Sequence, residues 1–359
     1  MPEPRLSFLG DLMLHGGWDD PAVVQAGLRE LGELLDGDYV FANLETAALS
    51  TEGVIDKQPR VTARAATIDA ALAVLEVDLA NVANNHAFDA LRSGFERTRE
   101  VASERGTRLV GAGADLEEAS AAVLTDVGGL RVGWLGYCDP ATRPSHVAGD
   151  GPGVNPLEPE RARDEVAALS RRCDLVCVSL HWGVEYCHLP APAHVRLARA
   201  LVDSGARLVI GHHAHVVQGV EEYGGGLIAY GLGNATTDDF RIDGRLAIRQ
   251  SDRTRSSMLL RVAPSPGARL LHECVPLRDA GNRVLVGDPV ARRHLEIASR
   301  MLARGVTESR WRRRRLYEDV VVRTLRKLHP ATIGSVQPSH LIKPFRNVGR
   351  SMLGRGPAD

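Results

Sequence analysis

The chain has 359 residues, with 44 basic and 45 acidic side chains, a formal net charge of −1 and 44% hydrophobic residues. These values are ordinary for a globular protein, and they exclude a collagen, a coiled coil or a largely disordered chain. The charge is unevenly divided. The last 60 residues hold 14 basic and 4 acidic side chains, whereas the first 299 hold 30 basic and 41 acidic ones. An acidic body therefore precedes a basic segment.

Short apolar runs alternate with helical patterns through the first 235 residues. Strands are predicted, in chain order, at 6–9, 38–42, 77–82, 108–110, 130–137, 174–180, 207–210 and 227–230. Helices are predicted between them at 21–35, 67–76, 90–105, 160–171 and 192–204. This alternation predicts βαβ units and a buried α/β sheet.

The pattern weakens after residue 240. Two late strands are predicted at 257–262 and 270–276, and helices at 288–303 and around 316–328. We therefore predict one domain over residues 1–275, followed by a helical, basic C-terminal extension over 276–359. The Pro- and Gly-rich segment 140–159 is predicted to be a loop or a lid.

The sequence also bears on the cellular location. It contains no apolar run of about 18 residues, so we expect no transmembrane segment. The start of the chain is not interpreted as a signal peptide, because its apolar run is short and contains Gly10-Asp11, which belong to a motif described below. The five cysteines include no C-x-x-C pair, which favours a reducing compartment, and we predict a cytoplasmic protein.

Polar side chains recur where the predicted strands end, namely Asp11, Glu45, Asn85, His86, His181, His213 and His215. Carboxylates, amide oxygens and neutral imidazoles are the usual ligands of divalent Mn, Fe or Zn. Two carboxylates cannot lie close together in a dry site without a cation. The sequence therefore predicts one or two divalent metal ions. In extended backbone His213 and His215 would share one face, whereas a tight loop could direct them to two ions.

Six motifs occur in a set order: Gly10-Asp11, Asn43-Leu44-Glu45, Ala83-Asn-Asn-His86 with Asp89, His181-Trp-Gly-Val-Glu185-Tyr, Gly211-His-His-Ala-His215 and Leu232-Gly-Asn234. Together they resemble the CapA family of capsule or poly-γ-glutamate synthesis proteins, over roughly residues 4–240. That family is similar in fold to the calcineurin-like metallophosphoesterases. The resemblance implies a four-layer α/β/β/α sandwich.

The resemblance also implies a role for each matching position. The implied metal ligands are Asp11 and His215 for a first ion, Asn85, His181 and His213 for a second, and Glu45 as the carboxylate that bridges them. His86, together with Asp89, would protonate a leaving group or stabilise the transition state. The phosphoesterases begin with Asp-x-His, but this chain has Asp11-Leu-Met13. His15 is the candidate replacement.

Five further residues are predicted to bind substrate: Lys57, Arg60, Glu185, His212 and Asn234. Lys57 and Arg60 follow Glu45 in a polar loop and could hold a carboxylate or a phosphate. A solvated loop is an equally good interpretation of the same residues. Glu185 could instead complete the metal site.

The leading hypothesis is a metal-dependent hydrolase. A metal-activated water would attack a phosphoester or a γ-glutamyl amide bond, in the biosynthesis of an anionic polymer or a related peptide-like metabolite. One alternative is a non-catalytic accessory protein that binds polyglutamate or its synthetase. Another is an amide-bond-forming tailoring enzyme, although no P-loop motif is present.

The expected partners are a small-molecule or anionic polymer substrate and a synthetase. No nucleic acid is expected, because the basic residues are not interleaved with aromatic ones. The run Arg312–Arg315 has three interpretations: a solvated helix face, a peripheral membrane contact or a contact with an acidic partner.

Overall fold

The computed structural model describes residues 5–264 and 269–318, and in it the chain forms an α/β fold with two main sheets. The helices are, in chain order, α1 (Pro21–Leu35), α2 (Ala65–Val74), α3 (Leu91–Arg105), α4 (Leu116–Ser120), α5 (Pro159–Ser170), α6 (Pro192–Asp203), α7 (Pro289–Ala303) and α8 (Glu308–Leu316). The strands are, in chain order, β1 (Leu6–Leu12), β2 (Tyr39–Asn43), β3 (Ala47–Ala48), β4 (Thr62–Ala63), β5 (Val77–Asn81), β6 (Arg108–Val110), β7 (Ala112–Gly113), β8 (Val123–Val127), β9 (Leu130–Cys138), β10 (Gly153–Val154), β11 (Leu175–His181), β12 (Leu208–His212), β13 (Val220–Tyr223), β14 (Gly226–Ala229), β15 (Asn234–Thr236), β16 (Phe240–Ile242), β17 (Arg245–Ile248), β18 (Ser256–Ala263), β19 (Leu271–Asp279) and β20 (Val284–Val286). The predicted α/β class is confirmed.

The two main sheets each have a parallel centre. The first has the strand order β20-β19-β18-β1-β2-β5-β6, with β15 also paired to β1, and its strands β1, β2, β5 and β6 are parallel. The second has the order β13-β14-β12-β11-β9-β8, and its four central strands are parallel. In sheets of this kind, ligands bind beyond the carboxyl ends of the parallel strands.

Three apolar clusters stack these elements in layers. The cluster between the two sheets includes Phe8, Phe41, Leu79, Trp134, Cys177 and Ile210. The cluster on the outer face of the first sheet joins α1, α2 and α3 to it through residues such as Leu9, Leu28, Leu72, Ala80 and Phe95. The cluster on the outer face of the second sheet joins α5 and α6 to it through Val166, Val176, Val178 and Leu201. The order is therefore helices, sheet, sheet, helices.

Local sequence explains where α1 begins and which of its faces is buried. Asp20 accepts hydrogen bonds from the backbone of Ala22 and Val23, and a proline occupies the first helical position. The residues that α1 buries include Val24, Leu28, Leu31 and Leu35. Their spacing of three or four residues gives the helix a single apolar face toward the first sheet.

Strand β1 is longer than predicted, and a close backbone approach explains the difference. The sequence predicts a strand over 6–9, but β1 continues to Leu12, and Asp11 lies opposite Asn234 of β15. A Cβ atom at Gly10 would lie 2.0 Å from the carbonyl oxygen of Gly233. Only glycine allows these two backbones to meet. As a result, Asp11 is held rigidly at the end of a central strand.

The C-terminal part of the described chain joins the first sheet. The predicted division between residues 275 and 276 falls inside β19, which pairs with β18 along its length and with β20 at its end. Helix α7 packs on β18 and β19 and adds Ala298 to the core between the sheets. The predicted helix at 316–328 lies largely outside the described residues. Within residues 5–264 and 269–318, no helix combines the length and hydrophobicity that crossing a membrane requires.

Candidate metal centre

Polar side chains from both sheets converge at the carboxyl ends of the parallel strands. Ligand atoms of Asp11, Glu45 and His181 lie within 4.8 Å of one another, and so do those of Glu45, His213 and His215. All five residues, the ligand cluster below, are buried. Glu45 belongs to both groups, which is the geometry required of a carboxylate that bridges two positions.

The Glu45 carboxylate lacks the hydrogen bonds that a buried acid normally has. Neither of its oxygens has a partner among the described residues. Its Oε1 atom instead lies 3.5 Å from Nε2 of His181, and 3.8 Å from Nε2 of both His86 and His215. Burial, and then the charge of Asp11, raise the pKa of Glu45 well above its usual range. A buried carboxylate left in this state is costly unless a cation neutralises it.

Asp11 is held very differently by its neighbours. Its Oδ1 atom accepts hydrogen bonds from Asn43 Nδ2 at 2.8 Å and from His212 Nδ1 at 3.1 Å, and its Oδ2 accepts one from the backbone N–H of His213 at 3.2 Å. Burial opposes ionisation, but the bonds to His212 and His215 outweigh it, so the pKa of Asp11 is well below its usual value. Asp11 is therefore an oriented, ionised carboxylate.

The backbone of the His213-Ala-His215 loop decides how its two imidazoles diverge. His213 has φ 76° and His215 has φ 53°, so both adopt the left-handed conformation that residues other than glycine rarely occupy. Their ring centroids are 5.5 Å apart. The tight-loop alternative therefore applies, and the extended one does not. Non-glycine residues held in this region cost of order 1–3 kcal/mol each, and they concentrate at functional sites.

The imidazoles differ in protonation. Burial lowers the pKa of His181 well below its usual value, and burial with the charge of His215 lowers the pKa of His213 to about 4. Burial acts in the same direction on His215, but Glu45 and Asp11 overcome it and raise its pKa to about 10. His181 and His213 are therefore neutral, which is the form that binds metals. The Nδ1 atom of His213 has no hydrogen-bond partner among the described residues.

Asn85 and Asn234 each contact one of these imidazoles. The Oδ1 atom of Asn85 lies 2.8 Å from Nε2 of His181. Asn234 places its Oδ1 atom 2.8 Å from Nδ1 of His215 and donates to the carbonyl of Thr254. A fixed partner on one ring nitrogen sets the direction of the other, so Asn234 directs Nε2 of His215 toward Glu45. Its assignment to substrate binding stays a prediction.

His86, Asp89 and Lys57 form a second group, the His86 cluster, beside Glu45. His86 Nδ1 is 2.5 Å from Asp89 Oδ2, and Lys57 Nζ donates to Asp89 Oδ1 at 2.9 Å and to the carbonyl of Asn85 at 2.6 Å. Burial lowers the pKa of His86, although Asp89 opposes it. Burial opposes ionisation of Asp89, but His86 and Lys57 lower its pKa overall. An ionised Asp89 accepts a hydrogen bond from the Nδ1–H of His86, and this leaves Nε2 of His86 facing the ligand cluster.

The remaining predicted residues lie at different distances from this centre. The Glu185 carboxylate acts electrostatically on the site. Its charge helps to raise the pKa of Glu45, after burial and Asp11, and that of His215, after Glu45 and Asp11 and against the effect of burial. His212 ends β12 and bonds Asp11. Arg60 donates to the carbonyl of Ile55 within its own loop at 3.1 Å.

The place of the missing phosphoesterase histidine is apolar. Met13 is buried in a small cluster with Val61, Phe240 and Ile248. His15 stacks on Phe240, with ring centroids 4.1 Å apart, and its Nε2 accepts a hydrogen bond from the backbone of Asp238. The imidazole of His15 therefore bonds a loop rather than the ligand cluster.

Sequence reasoning missed a row of amides beneath Asp11. Asn81 Nδ2 donates to Asn43 Oδ1 at 2.9 Å, and Asn43 Nδ2 donates in turn to Asp11. The two asparagines end β2 and β5 and lie directly opposite each other. The available signal was an asparagine at the last position of two neighbouring apolar strands, where an unsatisfied amide would be costly.

The comparisons with known proteins agree with this geometry. The family described as "Bacterial capsule synthesis protein PGA_cap" matches residues 5–239. "PGA biosynthesis protein CapA" of Bacillus subtilis strain 168 is 30% identical over 240 residues, covering 65% of this chain and 63% of that protein. "Capsule biosynthesis protein CapA" of Bacillus anthracis is 32% identical over 213 residues, covering 57% and 52%. "Probable polyglutamine synthesis accessory protein" of Mycobacterium tuberculosis H37Rv is 31% identical over 252 residues, covering 67% and 66%.

The matches span between about half and two thirds of the length of these relatives. Among solved structures, the 5'-nucleotidase precursor from Thermus thermophilus aligns with TM-score 0.45 and 16% identity, over 84% of this chain and 59% of that one. The NAD nucleotidase of Haemophilus influenzae aligns with TM-score 0.46 and 13% identity, over 80% and 58%. Because residues 5–239 include every predicted ligand, the match covers the whole candidate centre. The predicted family is thereby confirmed, and the chain belongs to the bacterial capsule synthesis protein family PGA_cap.

Proposed function

We propose that this protein is a metal-dependent hydrolase that cleaves a phosphoester or a γ-glutamyl amide bond during the biosynthesis of an anionic polymer or a related peptide-like metabolite. One observation carries the proposal. The carboxylate of Glu45 is fully buried, has no hydrogen-bond partner among the described residues, and is surrounded by imidazole nitrogens. A divalent cation is the partner that such a set of donors fits.

The chain offers a complete set of ligands for such a cation. The residues that would hold one or two ions of Mn, Fe or Zn are Asp11, Glu45, Asn85, His181, His213 and His215. Carboxylate, amide oxygen and neutral imidazole are all present. Among the described residues, Glu45 and His213 each have a buried atom that could bind a metal and has no hydrogen-bond partner. When bound, such an ion supplies Lewis acidity and lowers the pKa of bound water.

The His86 cluster would move the proton. Asp89 holds the Nδ1 proton of His86, which leaves Nε2 as the atom that gains or loses a proton, 3.8 Å from Glu45 Oε1. Lys57 bonds both Asp89 and the backbone of Asn85, so it fixes this cluster relative to a ligand. His86 would pass a proton to the leaving group, and Asp89 would keep the ring oriented.

The substrate class is supported by the names of the relatives. Two are named for PGA or capsule biosynthesis and one for polyglutamine synthesis. An anionic chain rich in carboxylates would suit a site that contains divalent cations, and Lys57, Arg60 and Glu185 stay proposed contacts for it. We also propose that the protein works in the cytoplasm.

A second candidate function is an accessory role. The Mycobacterium tuberculosis relative is named as an accessory protein of polymer synthesis. This protein would then bind polyglutamate or its synthetase, and its metal would anchor substrate carboxylates without turnover.

Two measurements test the proposal. Protein purified without added metal should contain about one or two Mn, Fe or Zn per chain, the number that the ligand set can hold. His86→Ala should keep this metal but lose turnover of phosphoester or γ-glutamyl substrates by about 10²- to 10⁴-fold. His272→Ala is the matched control, because His272 is a partly exposed residue paired with Glu222.

The outcomes separate the candidates. Absence of bound metal even after loading with Mn²⁺ would refute the metalloenzyme. Metal-loaded wild type that binds polyglutamate without cleaving any tested substrate would favour the accessory function.

A further inference from the structure

A chain of polar contacts connects Glu318 to the loop that carries His213 and His215. Glu318 lies two residues after the end of α8, in a continuing π-helical turn, and its side chain is only 2% exposed. Its Oε1 atom accepts a hydrogen bond from Arg253 at 2.5 Å and pairs with Arg314. Arg253 in turn donates from Nε to Nε2 of His188 at 2.9 Å. Arg253 and Glu318 both lie beyond residue 239, where the family match ends.

His188 joins the loop that follows His181 to the loop that carries His213 and His215. It lies seven residues after His181 in sequence, and its Nδ1 atom donates to the carbonyl of Val217, two residues after His215, at 2.8 Å. The side chain of Gln218 donates back to the carbonyl of Cys187 at 2.7 Å. The orientation of His188 therefore sets how these two loops lie against each other.

The protonation of His188 follows from its partners. The carbonyl of Val217 only accepts, so Nδ1 carries the ring proton, and the Arg253 guanidinium only donates, so Nε2 is the acceptor. Both ring nitrogens are used, and the ring is fully buried. Arg253 can hold this position because Glu318 compensates its charge in a largely buried place.

We infer that Arg253 and Glu318 are positioning residues for the metal centre: through His188 they hold the loops 182–188 and 213–218, and the C-terminal segment thereby forms part of the working site. Part of the basic run is accounted for in the same way. Arg314 pairs with the buried Glu318, whereas Arg312 pairs with the exposed Glu308 at 2.7 Å. Ligands must be held to within about 0.5 Å for a productive site. A loop that opens would lose that precision.

Hydrogen exchange of the full-length, metal-free chain tests the inference directly. Glu318→Gln keeps the shape of the side chain but removes its charge. It should speed exchange of backbone amides in 184–188 and 216–218 by at least about tenfold, while β1 and β2 keep their protection. Glu308→Gln is the matched control, because it removes a carboxylate from the same region without touching Arg253, and it should leave these amides as in the wild type. Arg253→Lys keeps the charge but cannot bond His188 and Glu318 at the same time as the planar guanidinium does. Its exchange pattern should therefore resemble that of Glu318→Gln.

Co²⁺ titration provides a second readout, and it rests on the proposed function. Glu318→Gln should weaken Co²⁺ binding by about tenfold and alter its visible absorption spectrum, because the loop would hold His213 and His215 less precisely. Unchanged exchange in the two loops, or a loss of protection spread evenly over β1 and β2, would overturn the inference. Wild type that binds no Co²⁺ would instead refute the proposed function, while the exchange data would still decide the positioning role.

Discussion

The ligand cluster and the His86 cluster lie side by side, yet they satisfy their buried charges in opposite ways. In the first, both oxygens of Glu45 are without a hydrogen-bond partner among the described residues. In the second, both oxygens of Asp89 accept hydrogen bonds, from Lys57 on one side and from Val61 and His86 on the other. Protein groups therefore satisfy the Asp89 carboxylate but not the Glu45 carboxylate, and this difference is what the proposed cation would account for.

Glu45→Gln should have the largest effect, and it should act in opposite directions on binding and on folding. Mn²⁺ affinity should fall by more than about 100-fold. Losing a residue that only hydrogen-bonds to a ligand costs up to about that much, and Glu45 would be a ligand itself. Metal-free protein should be as stable as wild type or more stable, because a buried carboxyl group without hydrogen-bond partners has been replaced by a neutral amide. Isothermal titration with Mn²⁺ and urea denaturation in chelator measure the two quantities. Unchanged affinity would remove the distinction between the clusters.

Asp89→Asn should show the reverse pattern. The variant leaves Lys57 and His86 without their buried counter-charge, so the free energy of unfolding should fall by about 3 kcal/mol. Mn²⁺ affinity should stay within about tenfold of wild type, because no proposed ligand is lost. Asp69→Asn, which removes an exposed partner of Arg105, should cost no more than about 1 kcal/mol. If Asp89→Asn instead abolishes metal binding with little loss of stability, the two clusters form one unit.

His15 is a buried imidazole outside both clusters, and its titration should make the free energy of unfolding depend on pH. Burial lowers its pKa from 6.5 to about 4. As pH falls, His15 is therefore protonated in the unfolded chain before it is protonated in the folded one. The stability that the folded state has from a neutral His15 is fully present above pH 6.5 and is lost between there and about pH 4. At pH 5 the loss amounts to about 2 kcal/mol.

Urea denaturation in chelator at pH 7.5 and pH 5 measures this contribution. The difference in unfolding free energy between the two pH values should be smaller in His15→Phe than in wild type by that amount. An identical pH dependence in both proteins would show that His15 gains no proton on unfolding.

Much of the site could be predicted because its residues follow strand ends. Asp11, His181 and His212 lie at or next to the last positions of β1, β11 and β12, and parallel strands deliver such positions to a common edge. The amide row of Asn43 and Asn81 could not be predicted in the same way. Each asparagine alone is an ordinary strand end, and only the register of β2 on β5 shows that they pair.

The C-terminal part of the described chain shows what sequence patterns alone could not predict. The arginine run suggested a solvated face or an acidic or membrane partner, yet Arg314 pairs with the buried Glu318 of its own chain. Strand β19 runs through the position predicted to end the domain. The predicted periodicity weakens after residue 240, but the first sheet continues, because the backbone of β19 pairs with β18 along its length.

The sequence by itself determined the α/β class, the family and the types of polar side chain at the strand ends, because those properties depend on local periodicity and on which side chains follow each strand. Only the tertiary structure decided which partner each polar group obtains: Lys57 with Asp89 across 32 residues, Asn234 with His215 across 19, and Arg253 with Glu318 across 65. Such pairs depend on how the two sheets and their loops pack in three dimensions. Among the described residues, that packing gives both oxygens of Asp89 hydrogen-bond partners and leaves both oxygens of Glu45 without one.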